Sequence, residues 1–81
     1  MARTYRLDVS YNRQFYSPRA DTMVERAVGA KCGASGAGMG ARDLSFYFTN
    51  KRGLDAAKRR LQHRYKKLGF PVVWTDTWWV E

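Results

Sequence analysis

Apolar and polar residues alternate with a period of two through Tyr5-Arg6-Leu7-Asp8-Val9-Ser10-Tyr11, the pattern of a strand with one buried face. Tyr5, Leu7, Val9 and Tyr11 share that face, and Arg6, Asp8 and Ser10 take the other. Residues 12–17 hold no period and form a connection. Ser17-Pro18 then opens a helix: the serine hydroxyl can cap free amides, and a proline in the first turn has no useful amide to lose. Ala20, Met23, Val24, Ala27 and Val28 recur at helical spacing as its buried stripe. Gly29 and Gly33 end this helix, with Gly33 offered as the left-handed residue after the last turn.

Residues 33–42 form a glycine-rich loop or a weak edge strand that turns back into the next one. Alternation returns in Asp43–Thr49, with Leu44, Phe46 and Phe48 inward and Asp43, Ser45 and Tyr47 outward. Asn50-Lys51-Arg52-Gly53 breaks this strand and opens a second helix. On a helical wheel Leu54, Ala57, Leu61, Tyr65 and Leu68 cluster in a narrow arc. Arg59, Arg60, Lys66 and Lys67 point away from it, flanked by Lys58 and Arg64. Gly69 ends the helix and Pro71 bars its return. Val72–Val80 is the last strand, and both of its faces carry apolar residues. The side of Trp74 and Trp78 is expected to be buried because it holds the larger apolar area. Asp76 shares that side and has to sit near a sheet edge.

Strand, helix, strand, helix, strand describes a single α+β domain over residues 1–81: an antiparallel sheet of three or four strands with two helices on one face. The order resembles the ferredoxin-like split βαβ superfold, with one of its usual four strands missing or hidden in residues 33–42. Arg42–Thr49 followed by Gly53–Leu61 is similar to the third strand and second helix of the RNA-recognition motif. Leu44, Phe46 and Phe48 inward and Ala57 and Leu61 on the helix carry that similarity. The family stacks bases on outward aromatics of its first and third strands. Here those places hold Asp8, Asp43 and Ser45, none of which can stack, and the two carboxylates repel phosphate. Tyr47 and Trp79 are the remaining outward aromatics. The resemblance therefore implies a fold and not a sheet-face RNA platform.

Charge adds what periodicity cannot. Among 81 residues, 15 Lys and Arg face 7 Asp and Glu, a formal net charge of +8, which favours an anionic partner. Lys51, Arg52, Lys58, Arg59, Arg60, Arg64, Lys66 and Lys67 form the densest cluster, and between residues 51 and 67 only Asp55 offsets it. Cations spaced along one helix can follow a phosphate backbone, with released counterions supplying the affinity. These eight residues are the expected nucleic-acid contacts. Hydrophobic content of 44% is ample for a folded core.

No catalytic constellation emerges. Cys32 and His63 are each alone of their kind, which excludes an internal disulfide and a Cys/His zinc site. The serines lack a neighbouring base, and Asp8, Asp43 and Asp76 are too scattered to define a metal site. Asp8 and Asp43 are expected to pair with Arg6 and Arg42. A phosphate loop needs a strand before it and a helix after it, whereas the glycine-rich stretch has the reverse order. Gly33-Ala34-Ser35-Gly36 has the spacing of a KH loop but no helix follows. No cofactor is expected. The start, Met1–Arg6, lacks an apolar leader core and no apolar run approaches membrane-spanning length, so the expected location is the cytoplasm, or the host cytoplasm for a viral chain. The expected function is a small non-enzymatic module that binds nucleic acid or nucleoprotein through its basic helix. The alternative is a protein-binding modulator or inhibitor, of the kind phages encode against host machinery. It would use Tyr47, Val73 and Trp79 on the sheet face for a protein partner or a twin subunit.

Overall fold

Alternation in the first strand gives it one buried face, and antiparallel partners on both sides place it inside the sheet. A computed structural model describes residues 3–80; Met1, Ala2 and Glu81 lie outside the described residues. The elements run β1 (Arg3–Asn12), α1 (Pro18–Val28), β2 (Ala34–Gly38), β3 (Ala41–Phe48), α2 (Lys51–Arg64) and β4 (Val72–Val80). All strand pairs are antiparallel, in the order β2-β3-β1-β4. This is the ferredoxin-like arrangement, with β1 and β3 inside and β2 and β4 at the edges.

The two helices cover one face. Leu7, Val9, Leu44 and Phe46 from the sheet, Val24 and Val28 from α1, and Leu54, Ala57 and Leu61 from α2 form one buried cluster. Burying each large apolar side chain contributes roughly 1.5–3 kcal/mol. At one end of the core Tyr11 donates a hydrogen bond to Asp21 at 2.7 Å, and Arg42 bonds the same carboxylate at 2.7 Å. Burial alone would raise the Asp21 pKa, but the bonds from Arg42 and Tyr11 and the Arg42 charge outweigh it. Its carboxyl therefore titrates below the usual aspartate value. Burial first, then the bond to Asp21, pushes the Tyr11 phenol well above its ordinary range.

Local chemistry sets the element ends. Ser17 Oγ accepts from the Ala20 amide at 3.0 Å, with Pro18 in the first turn of α1. That helix ends at Gly29, one of the two glycines expected to end it, and Gly29 with φ 82° rather than Gly33 is its left-handed residue. Gly33 instead donates its amide to the Ser45 carbonyl at 2.8 Å and leads into the sheet. Residues 34–38 are a true edge strand: Ser35 pairs with Leu44 and Gly36 with Asp43. Met39 and Gly40 turn it into β3 with φ of 50° and 81°, the two left-handed residues of a tight hairpin. Asn50 Oδ1 accepts from the Gly53 amide at 2.7 Å and caps α2. After Arg64 the helix tightens into a 3-10 turn, Tyr65–Leu68, which buries Leu68 before Gly69 closes it with φ 83°.

The last strand departs from expectation in one respect. Its register sets Val72, Trp74, Asp76 and Trp78 opposite Tyr11, Val9, Leu7 and Tyr5, so Trp74 and Trp78 do lie on the helix side. Only Trp74 is covered, with Tyr65 at 5.6 Å between ring centroids. Trp78 remains 58% exposed, because the helices pack mainly over β1 and β3. No helix among the described residues is long and apolar enough to cross a membrane.

Candidate nucleic-acid interface

Leu54, Ala57 and Leu61 bury one side of α2 and so turn its basic residues outward. The eight cations do not share one environment. Lys51, Arg52 and Arg59 are exposed and, with Asp55 and Ala56, surround a surface hollow of about 540 Å³ at the start of the helix. The first turn of α2 holds two cations and no acid, against the preference of the positive end of a helix for negative charge. A phosphate placed there would meet both the side-chain cations and the dipole.

Among the described residues, three of the eight have a hydrogen-bond or ion-pair partner within the fold. Lys58 is half-buried, with its Nζ 3.3 Å from Asp76 Oδ1 on β4, which accounts for the carboxylate on the apolar side of that strand. Arg60 donates from Nε to the Val28 carbonyl at 2.7 Å. Arg64 donates from Nη1 to the Arg26 carbonyl at 3.0 Å. These two arginines satisfy carbonyls that the end of α1 leaves without helical partners. Lys66 and Lys67 are exposed in the closing turn. Lys67 and Arg64 join Arg26 of α1 around a groove of about 370 Å³, lined also by Met23, Ala27 and Leu68. Arg26 escaped sequence reasoning. Its outward place on α1 was legible, but its position beside Arg64 depends on how the helices meet.

Asp8 and Asp43 lie on the far side of the sheet, whereas Asp21, Glu25, Asp55 and Asp76 belong to the helix side. On the open face of the sheet Asp8 accepts from Ser45 at 2.6 Å and pairs with Arg6 at 3.0 Å. Asp43 accepts from Ser10 and not from Arg42, which is committed to Asp21. Those residues, with Val73, Trp74 and Thr75, line a depression of about 480 Å³. The positions that stack bases in an RNA-recognition motif are thus occupied by hydrogen-bonded carboxylates and hydroxyls.

The three sheet-face contacts expected for a protein partner separate into two places. Tyr47 and Trp79 meet edge to face at 6.4 Å, with the Arg6 guanidinium 5.7 Å from the Trp79 ring centre. Tyr47 is 46% exposed and Trp79 half-buried. Val73 is exposed beside Ser10, six residues along β4 from Trp79, roughly 20 Å away at the strand rise. His63 is exposed on α2. Cys32 is half-buried; burial and then the Glu25 charge push its thiol up, and its amide donates to Glu25 at 2.9 Å. No group of three metal-ligating side chains occurs among the described residues. Comparison with protein-family models and with characterised proteins finds no match to this chain.

Proposed function

We propose that this chain is a small non-enzymatic module of the cytoplasm that binds nucleic acid or nucleoprotein through the outer surface of its helix layer. The contacts are Lys51, Arg52, Arg59, Lys66 and Lys67, with Arg26 and Arg64 at the groove between the helices. The scarcity of ion pairs among these cations carries this function. Of the eight candidate cations, only Lys58 has a carboxylate within 4.0 Å among the described residues. Asp8 and Asp43 lie across the sheet from them. A surface on which most of these cations lack a carboxylate partner attracts a polyanion over distances comparable to the Debye length, about 8–10 Å at physiological salt.

Fluorescence anisotropy with single- and double-stranded DNA and RNA, at a series of salt concentrations, tests this function. With ~5 phosphates neutralised, the slope of log affinity against log salt is roughly −4 to −5. Reversing Arg59, Lys66 and Lys67 to glutamate abolishes binding. Affinity unchanged by that triple substitution refutes the proposal.

A second function, protein-binding modulator, is favoured by the exposed Tyr47 beside Trp79 and Arg6, an aromatic–cation group of the type that anchors protein interfaces. Its signature is a protein that co-purifies with the chain after nuclease treatment and is lost on Tyr47→Ala.

A further inference from the structure

The last strand reads nearly the same in both directions. Outward from Asp76 come Thr75 and Thr77, then Trp74 and Trp78, then Val73 and Trp79, then Val72 and Val80. This strand is also a sheet edge: one side pairs with β1 from Tyr11↔Val72 to Arg3↔Val80, and the other side has no strand among the described residues. Natural edges are commonly shortened or guarded by lysine or proline. Here β4 is nine residues long and contains neither. The opposite edge, β2, has five residues of Ala, Ser and Gly, a poor surface for side-chain pairing. On β4, Val73 is 68%, Trp78 58% and Val80 45% exposed.

We infer that a second copy of this chain pairs with β4, antiparallel about a two-fold axis at Asp76, to make one continuous eight-stranded sheet. A two-fold axis brings identical surfaces together, so residue i meets j and j meets i. Centred on Asp76, that rule sets Thr75 against Thr77, Trp74 against Trp78, Val73 against Trp79 and Val72 against Val80. Every pair then joins like with like or a β-branched residue with an aromatic, the combinations that stabilise antiparallel strands. Moving the centre to Thr75 or Thr77 places Asp76 against a tryptophan and leaves two residues without partners. The two Asp76 carboxylates meet at the axis, but each already has Lys58 Nζ at 3.3 Å. Two carboxylates and two ammonium groups then alternate there, and the repulsion that would expel an unpaired aspartate is offset.

Side chains opposite one another in antiparallel strands lie on the same face. Exposed Trp78 therefore meets the partner's half-buried Trp74, which already packs on Tyr65. The two helix layers also come to the same side of the joined sheet, so both basic ridges face one way. The dimer does not depend on nucleic-acid binding, and its test does not involve it.

Light scattering coupled to gel filtration gives the mass of the full chain. The expected value is twice 9.4 kDa, returning to 9.4 kDa in Trp78→Lys, whose far-UV circular dichroism remains that of the wild type. Cross-linking reads the register. In a Cys32→Ser background, Asp76→Cys places one thiol opposite its own copy, within the Cα separation of about 4.4–6.8 Å that a disulfide requires. Oxidation converts it to a covalent dimer. Val72→Cys in the same background, about 27 Å from its copy at the strand rise, forms no covalent dimer. A wild-type mass of 9.4 kDa at millimolar concentration overturns the inference. So does cross-linking of Val72→Cys as fast as of Asp76→Cys.

Discussion

Arg60 reaches from α2 to the end of α1, where its Nε donates to the Val28 carbonyl at 2.7 Å. The contact lies directly over Gly29: a Cβ built there would stand 2.3 Å from the same nitrogen. One residue of the basic helix is thus a C-terminal cap for the other helix, and the glycine is there both for its φ of 82° and for the space it leaves.

Arg60→Ala is expected to cost about 1–2 kcal/mol in urea unfolding, since a charge-assisted bond to a carbonyl is lost. Gly29→Ala costs more, because a left-handed conformation disfavoured by about 1–2 kcal/mol is added to the collision with Arg60. In the Arg60→Ala background the collision is gone, so the penalty of Gly29→Ala shrinks. A double-mutant cycle measures that coupling.

Acid acts through Asp21. Its carboxyl is held below the ordinary value of 3.8 by Arg42 and Tyr11, so the stabilisation is complete above the unfolded pKa and is lost as pH falls through the lower folded value. Asp21→Asn is expected to destabilise by about 2 kcal/mol near neutrality. The gap between variant and wild type narrows below about pH 3.8. Thermal unfolding from pH 7 to pH 2 checks this.

The Tyr47 ring packs against Gly33, where an added Cβ would lie 2.6 Å from it. Gly33→Ala is expected to swing this exposed ring away from Trp79 and to alter tryptophan fluorescence. The stability loss stays within about 1 kcal/mol because the ring is free to move into solvent.

The exposed cations of the closing turn and the engaged cations of α2 behave differently. Lys66→Ala and Lys67→Ala each flatten the salt slope of duplex DNA binding by about 0.9, with the melting temperature unchanged. Arg60→Ala lowers the melting temperature with a smaller effect on the slope. Anisotropy and calorimetry on the same preparations separate the two groups.

Local pattern determined much of this protein. The alternation of Tyr5–Tyr11, the helical stripe from Ala20 to Val28 and the cap Ser17 are legible because the interactions behind them span four residues or fewer. Net charge and its concentration in residues 51–67 are sums over the chain and need no fold. Tertiary structure decided the rest. Residues 34–38 carry almost no strand propensity of their own; they are a strand because β3 presents a free edge beside them. Parity grouped Trp78 with Trp74 and apolar area chose their side of the sheet, but the exposure of Trp78 depends on how far the helices reach across β4. Which arginines remain available to a polyanion is likewise a property of helix packing. Arg60 and Arg64 bond carbonyls 32 and 38 residues away, partners that no local spacing encodes, because chain folding alone brings them within hydrogen-bond reach.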